Sequence, residues 1–514
     1  MTFNKNFMRR IWIALFTLLF AATFPAITCL AQNTADQQGQ QIAQLQAEVD
    51  ELKATVSRLN TLLNALTKNQ ITASAKTDVG AVGSTDGAPQ STAVTADPKV
   101  AMATKAQGGD LSGAGNLVKT DRITIGGYGE LQYRDGPISE RADGGGTRTF
   151  INPRFVLGIA AVLSEKQNIV FNSEIEYEFG SKEIDVEQAF VEWRLRPEFA
   201  VRGGIFVPSI GRFNTYHDSN LNLTNIRPLI NQFIVPTAYR DAGVGIRGRF
   251  RLPKKMKLSY EIDAVNGMQS TNADGERTPF SRLLGQSSAA EPGAIAFQDE
   301  NDNKAVVGRV GISPVRGLEF GVSGYTGKFN KRGGPQISAN IVFIDGSYRH
   351  GNLVLNAEYG RSNIVGGGIS RQSPAPPVVN VNDPASIKAL ADFVAELSPG
   401  QDGFYAEGSY QFHPRFLRNR FDTGSYIAPV FRYEMVRLDR TVKDFYLNRS
   451  RTTLGFNFAP STSVIFKADY LFNHTFGPVP RVPGEIGGPA FGISPLPHSL
   501  YGRNGFTGGV TYLF

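Results

Sequence analysis

The stretch VGIRGRFRL, residues 244–252, shows the pattern from which the fold of this chain can be predicted. Small or apolar residues occupy its even-numbered positions, and arginines occupy positions 247, 249 and 251. Because successive side chains of a β-strand point to opposite faces, such a strand has one apolar face and one cationic face. The stretches FNSEIEYEF (171–179) and VIFKADYLF (464–472) repeat the same alternation with other charges. Residues 122–514 are therefore predicted to form amphipathic strands.

Sixteen such strands are predicted, commonly 10–13 residues long. A tilted strand needs ~9–11 residues to cross a membrane. The predicted ranges are 122–134, 150–164, 168–180, 184–196, 198–206, 239–252, 256–266, 303–313, 317–328, 338–349, 352–364, 403–412, 424–437, 449–459, 462–473 and 503–514.

The connections between these strands differ in length by parity. After the even-numbered strands most are a few residues, whereas several of the others are long, including 207–238, 267–302, 365–402 and 474–502. Short periplasmic turns and long outer loops are typical of outer-membrane barrels. A soluble sandwich also gives alternating strands, but independent domains would not sort their loops by parity. The sequence therefore predicts an all-β, 16-stranded antiparallel transmembrane barrel spanning 122–514.

The C-terminal strand supports this prediction. Its apolar residues alternate and end in a terminal aromatic residue, as in the assembly signal of bacterial outer-membrane barrels; the alternative is an ordinary edge strand. The predicted signal residues are Phe506, Val510, Tyr512 and Phe514.

The N-terminus predicts export. Basic residues precede an apolar run, and small residues follow it, which is typical of a secretory signal peptide over residues 1–31. Lipid attachment at Cys29 is the alternative. As this is the only cysteine, the chain has no disulfide framework and no Cys-based metal site. The five histidines show no metal-binding spacing, so neither a metal nor a cofactor is predicted.

A heptad pattern over 37–68 predicts a coiled coil, which a flexible linker over 69–121 joins to the barrel. The alternative is a single amphipathic helix packed on a domain. β-branched residues at most a positions and Leu at d favour two strands in a parallel coil, but so short a helix leaves a trimer open. The predicted oligomerisation residues are Ile42, Leu45, Val49, Leu52, Val56, Leu59, Leu63 and Leu66.

Residues 150–252 resemble the phosphate-selective porin O/P superfamily. The resemblance lies in three segments: RFVLGIAAVLSEKQNIVFNSEIEYEF (154–179), VEQAFVEWRLRPEFAVRGGIFVPSIGRFN (186–214) and RPLINQFIVPTAYRDAGVGIRGRF (227–250). It implies a 16-stranded trimeric porin of the outer membrane. A coiled coil before such a barrel is similar to trimeric dicarboxylate-type porins, and it would lie in the periplasm. The family's phosphate-binding residues cannot be transferred to this chain position by position.

If the apolar face contacts lipid, Arg247, Arg249 and Arg251 point inward as a ladder. A water-filled lumen selects solutes by its width and by the charge of its wall. We therefore expect a preference for small anionic solutes such as phosphate or organic anions; alternatively, the basic and acidic stripes only pair with each other. The remaining residues predicted to line the pore are Glu174, Glu176, Glu178, Arg194, Arg196, Arg202, Arg432, Arg449, Arg451 and Lys467.

The loop 207–238 is the predicted constriction, because porins often fold their third outer loop inward. Packing of this loop against neighbouring subunits is the alternative. Its candidate residues are Arg212, His217, Asp218 and Arg227.

A second function remains open at this point: the periplasmic coil could bind peptidoglycan, which would make the barrel an anchor to the cell wall. No catalytic constellation of Ser, His and Asp appears, so an enzyme is not predicted. Basic residues alternate with acidic ones and form no basic run, which argues against nucleic acid as a partner.

Overall fold

The computed structural model describes residues 118–120, 122–136, 148–178, 183–235, 237–268, 302–329, 336–366, 383, 385–386, 389, 397–442, 448–476 and 504–514. The predicted signal peptide, the coiled coil with its eight heptad residues, and nearly all of the predicted linker lie outside these residues. The last linker residues, Val118–Lys119, form a two-residue strand that pairs with the first barrel strand.

Sixteen antiparallel strands form the barrel. They are β1 (Ile123–Asp135), β2 (Arg148–Ile151 and Arg154–Ser164), β3 (Ile169–Glu178), β4 (Glu183–Arg196), β5 (Phe199–Phe206), β6 (Asp241–Arg251), β7 (Lys257–Val265), β8 (Ala305–Val315), β9 (Leu318–Lys328), β10 (Ile337–His350), β11 (Leu353–Gly366), β12 (Gly400–Tyr410), β13 (Tyr426–Arg437), β14 (Arg449–Ala459), β15 (Val464–Thr475) and β16 (Gly505–Leu513). Both segments of β2 pair with β1, and Pro153, which has no N–H to donate, lies between them.

Each strand pairs with the next one in the chain, and β16 pairs with β1 from Phe506↔Asp135 to Leu513↔Tyr128. This last pairing closes the sheet, so neither the first nor the last described strand of the barrel has an open edge. The predicted fold class, a 16-stranded antiparallel barrel, is confirmed. The largest shift in a strand boundary is at β12, which begins at Gly400 instead of the predicted residue 403.

The two faces of the wall differ as the alternation predicts. Large apolar side chains are exposed on the outer face, for example Val244 at 60%, Phe320 at 50% and Leu454 at 50%. Charged side chains of the inner face are buried, such as Glu434 and Asp469 at 0%. An apolar outer band around a polar interior is the arrangement of an outer-membrane barrel, which places lipid against the outer face. No helix among the described residues is long and apolar enough to cross a bilayer.

The ends of the barrel differ as the loop parity predicts. The connections after β2, β4, β6, β8, β10 and β14 are short turns at one end, where β1 also begins and β16 ends. The connection after β12, residues 411–425, is the long exception at this end and carries the short helix Arg415–Arg418. By the convention of such barrels, the short-turn end faces the periplasm.

Aromatic rings of the C-terminal strand lie over glycines of β1 at the closure of the barrel. The Phe514 N–H donates to the Gly127 carbonyl at 3.1 Å, and the Phe514 ring stacks on Phe155. A Cβ at Gly129 would lie 2.5 Å from the Tyr512 hydroxyl oxygen. Glycine is therefore required where the rings of β16 cross β1. Two other residues of the predicted signal, Phe506 and Val510, lie in β16 opposite Asp135 and Leu131.

Candidate functional site

The connection between β5 and β6, residues 207–240, folds into the barrel. It contains two short helices, α1 (Arg212–Thr215) and α2 (Ile230–Phe233), and most of its described residues are buried. The helix Arg415–Arg418 that follows β12 is α3. Residues of the 207–240 segment, called the interior loop below, contact inward-facing side chains of strands from β1 to β15.

Apolar packing holds one side of the interior loop. Phe206, Ile210, Leu229, Ile230 and Ile234 are among the most deeply buried apolar side chains in this part of the chain. They belong to one cluster with wall residues of β7 to β13, and Phe213 of the loop contacts Tyr405 of the wall edge to face. Close-packed apolar side chains leave no room for water, so this cluster excludes water between the loop and that part of the wall.

Backbone N–H groups of the interior loop donate to side chains of the wall. Gly211 donates to Ser323 Oγ at 2.7 Å, and Phe213 donates to Glu358 Oε2 at 2.9 Å. On β13, Glu434 Oε2 accepts from the Leu229 N–H at 2.6 Å. The bonds to Glu358 and Glu434 are strong because carboxylates accept them, and all three bonds satisfy loop amides that have no intrahelical partner.

Cations on the opposite wall bind carbonyl groups of the loop. The Lys467 ammonium donates to Ser219 O at 2.5 Å and to Asn222 O at 2.6 Å. Arg432 Nη1 donates to Ile226 O at 2.7 Å, and its Nη2 pairs with Glu407 at 2.6 Å. These cations point inward as the register predicts, but they contact the loop instead of lining open space.

Arg449 and Arg451 on β14 also lie against buried groups. The Arg449 guanidinium lies 4.9 Å from the centre of the Phe233 ring of the loop. Arg451 donates to Asn473 at 2.8 Å and pairs with Glu434 at 3.8 Å. This difference was not predictable from the sequence, because the alternation of residues gives the same inward direction whether a side chain contacts water or a loop.

The four loop residues singled out from the sequence are held inside the loop's own packing. Arg212 stacks on the Tyr216 ring at 4.7 Å, and Arg227 donates to the Thr237 carbonyl. The His217 ring contacts Asn214 O at 2.8 Å through Nδ1 and Glu187 of β4 through Nε2. Asp218 is 2% exposed. These residues fix the shape of the loop more than they present charge to a solute.

A cavity of about 800 Å³ lies beside the interior loop, along the inner faces of β3 to β9. Loop residues Val207, Ser209, Thr215 and Tyr216 form one side of it. Burial raises the pKa of the Tyr216 phenol, and the Glu319 carboxylate adds to this effect, so the ring stays neutral. The charged residues that line the cavity are Arg194, Arg196, Arg202, Arg247, Arg249, Arg251, Lys257, Arg309, Glu174, Glu192, Glu198, Glu261 and Glu319.

Near the loop, the cavity's cations are paired. Arg202 pairs with Glu261 at 2.7 Å and with Asp263 at 3.0 Å. Glu192 of β4 accepts from both Arg194, at 2.7 Å, and Arg247. Here the neighbouring basic and acidic stripes neutralise each other, as the alternative sequence interpretation held.

Toward the short-turn end, the cations stand without acidic partners. Arg196, Arg249, Arg251 and Lys257 form no ion pair or hydrogen bond of their side chains within the described part of the chain. Of the charged lining residues, eight are basic and five acidic. The wall of the cavity therefore carries an excess of positive charge, which is concentrated toward the short-turn end of the barrel.

The predicted acidic stripe of β3 divides between the cavity and the buried interior. Glu174 lines the cavity and accepts from Gln188 of β4. Glu176 is buried and pairs with Arg154 of β2 at 3.6 Å. The Glu178 side chain lies outside the described residues.

Two basic lining residues, Arg309 and Lys257, were not predicted from the sequence, and neither were the acidic Glu192, Glu198, Glu261 and Glu319. Arg309 of β8 pairs with Asp345 and Glu319, and Lys257 is the first residue of β7. Arg309 is the only charged residue of β8, and Lys257 shares β7 with Glu261 and Asp263, so neither forms a run like the arginine ladder. Their inward direction follows from the same alternation of side chains along a strand, so this alternation could have identified them in the sequence.

No protein family model matches the chain. A protein of Aquifex aeolicus described only as uncharacterized is 29% identical over 195 residues, which are 35% of this chain and 41% of that relative. The chain thus matches less than half the length of this curated relative.

Solved structures similar to this chain include several outer-membrane proteins. The anion-selective porin from Comamonas acidovorans is 11% identical, with a TM-score of 0.47 over 76% of this chain and 99% of that one. Salmonella typhi OmpF is 12% identical, with a TM-score of 0.45 over 77% and 99%. The channel DcaP of Acinetobacter baumannii is 10% identical, with a TM-score of 0.41 over 78% and 100%. The barrel architecture itself follows from the strand pairing given above.

Proposed function

We propose that this protein is an outer-membrane porin that lets small hydrophilic solutes diffuse across the membrane with a preference for anions. The observation that carries the proposal is the cavity between the interior loop and the arginine-bearing wall of β4 to β6. Its lining has eight basic and five acidic residues. A low-dielectric barrel wall focuses the field of this excess charge into the lumen, which raises the local concentration of anions.

The interior loop sets the width of the pathway in this proposal. It occupies the side of the lumen bounded by β9 to β15, which leaves solutes the side along β3 to β9. Its buried apolar cluster and its bonds to Glu358, Glu434 and Lys467 support a fixed constriction. Solutes are then selected by a pore of fixed width and by a fixed electric field, and their passage needs no chemical step.

Trimer formation, phosphate as a preferred solute and a periplasmic coiled coil belong to the same proposal. They rest on the sequence resemblance and on the heptad pattern. The cations near the loop are already offset by Glu192, Glu261 and Asp263, so they do not support a site for one particular anion. The proposed anion preference rests on the unpaired cations toward the short-turn end.

Liposome swelling tests the diffusion function. Full-length protein reconstituted into liposomes should admit small neutral sugars at rates that fall steeply with solute size. A variant in which a short Gly-Ser linker replaces residues 209–235 should admit larger sugars. Liposomes that swell no faster than protein-free ones would contradict the porin function and favour a role as a membrane anchor.

A further inference from the structure

The segment 411–425 departs from the short-turn pattern of its end of the barrel. The other described connections there are tight turns, whereas this one extends the β12–β13 pairing through Phe412 and Ile427 and then forms α3. It is well anchored: Phe412 N–H donates to Ile427 O at 2.8 Å, and Asp422 N–H donates to Pro460 O in the neighbouring turn at 3.2 Å. The segment is thus a fixed platform at the short-turn end.

The platform is basic and exposed. Arg415, Arg418 and Arg420 are all exposed, and none forms an ion pair within the described part of the chain. Between Phe412 and Phe421 the sequence FHPRFLRNRF contains three arginines and no acidic residue. The platform also contains one acidic residue, Asp422, so it carries a net excess of two positive charges. This excess favours an anionic partner.

Exposed aromatic side chains lie beside these arginines. Phe412 is 47% exposed, Phe416 62% and Phe421 43%. Of the four residues of α3, only Leu417 is buried. Phenyl rings exposed to water would be unfavourable, because burial of a large apolar side chain is stabilising. Rings next to arginines at the rim of a barrel are suited to the boundary between acyl chains and headgroups.

The aromatic side chains continue onto the lipid-facing wall. Phe421 packs edge to face against Phe458 with ring centres 5.4 Å apart, and Phe458 stacks on Phe466 at 6.1 Å. Phe412 contacts Tyr410 at 4.8 Å. Phe466 and Tyr410 are both exposed on the outer face, at 46% and 44%. The arginines therefore stand where the apolar band ends, within reach of lipid headgroups.

We propose that the platform 411–425 is a binding site for anionic phospholipid headgroups of the leaflet that faces the periplasm, with Arg415, Arg418 and Arg420 contacting the phosphate and the exposed phenylalanines lying among the acyl chains. Arginine favours such a role because its planar guanidinium donates two parallel hydrogen bonds to a phosphate. The site is separate from the cavity and does not depend on which solute passes through it.

Lipid titration of the full chain tests the proposal. Protein purified in a non-ionic detergent is titrated with fluorescent phosphatidylglycerol and, separately, with phosphatidylcholine bearing the same fluorophore, and binding is read by anisotropy. Phosphatidylglycerol should bind more tightly. Each arginine near an anionic headgroup contributes about fivefold to binding, so R415Q/R418Q/R420Q should weaken it by roughly a hundredfold.

A matched control separates a site from general charge. The variant K166Q/K254Q/K255Q removes the same number of exposed cations from other turns at the same end and should bind like the unmodified chain. Heat-dependent gel migration verifies that each variant is a folded barrel. Equal affinity for both lipids, an equal loss in the control, or displacement of the lipid by the same concentration of inorganic phosphate would overturn the proposal.

Discussion

Arg249 presents a cation to the cavity without an acidic partner among the described residues, and it is the residue at which access to the pathway can be probed directly. The sequence has a single cysteine, Cys29, within the predicted signal peptide. An Arg249→Cys variant should therefore carry one reactive thiol. If the cavity is on the conduction pathway, a negatively charged methanethiosulfonate should react faster than a positively charged one and should lower the single-channel current.

The control for this experiment is Val310→Cys, on the lipid-facing side of β8, where Val310 is 53% exposed. Its modification should leave the current unchanged. Equal currents before and after modification of the Arg249→Cys thiol would place the pathway elsewhere in the barrel.

Lys467 is the residue whose loss should loosen the interior loop most specifically. Lys467→Met removes the donor to Ser219 O and Asn222 O, and each buried carbonyl left without a partner costs ~1–3 kcal/mol. We expect larger current fluctuations and a lower unfolding temperature in the variant. Lys254→Met, in an exposed turn, is the comparison. A quiet channel with unchanged current in Lys467→Met would mean that the lysine does not position the loop.

Sequence could predict which of these side chains point inward, but not what they meet there. Period two gives the direction of Arg202, Arg247 and Lys467 equally well. Their partners, such as Asp263 on β7 and Ser219 in the interior loop, depend on strand register and on the path of the loop. The alternation of residues along a strand determines neither the strand register nor the path of the loop. The division into pore-lining and loop-binding cations was therefore seen only in the structure.

The interior loop is the element that we propose determines conductance. Phe213 is 4% exposed and contacts Tyr405 of the wall. Phe213→Ala should lower stability by about 3–5 kcal/mol because it leaves a cavity in the apolar cluster. Denaturant titration of the reconstituted barrel measures this change, and single-channel recordings should show a less stable open current. A change below ~1 kcal/mol would show that the cluster contributes little to holding the loop.

The closure of the barrel depends on the glycines of β1. Gly129→Val should hinder assembly because the added side chain occupies the space of the Tyr512 ring. Gly324→Val is a matched control, since a Cβ at Gly324 meets only Ile341 O at 3.5 Å. The folded fraction on heat-modifiability gels should fall only in the first variant. Equal folding of both variants would mean that the seam tolerates a side chain.

The strands were predicted well because each face has its own residue pattern, apolar on the lipid side and polar or charged on the lumen side. The interior loop was predicted as a constriction from its position in the chain alone. Its helices α1 and α2 have four residues each, too few for a helical period to appear in the sequence. Its inward path is determined by bonds to side chains such as Glu358 and Glu434, more than a hundred residues away in the chain.

At the scale of the whole molecule, the predicted coiled coil is proposed to join three barrels. A variant that lacks residues 37–68 should still form the barrel, because its closure needs only β1 and β16. Chemical cross-linking of the detergent-solubilised protein should then give fewer trimers than the full chain gives. Identical trimer yields would assign oligomerisation to the barrel wall and leave the coil free for another partner, such as peptidoglycan.

The fold was predictable at this scale because the chain repeats one simple pattern sixteen times, with turn lengths that alternate by parity. The positive field of the cavity was less predictable from the sequence. The chain's net charge of +7 does not reveal it, because most charges inside the barrel are paired. The excess arises from Arg196, Arg249, Arg251 and Lys257, which face the same space without acidic partners in the described structure.

The reversal potential of single channels in a KCl gradient measures the proposed anion preference. The full chain should give a reversal potential of the sign expected for chloride preference, and Arg249→Ala/Arg251→Ala should shift it toward that of potassium. A cation-selective channel, or an anion-selective channel whose reversal potential is unaffected by the double substitution, would contradict the account.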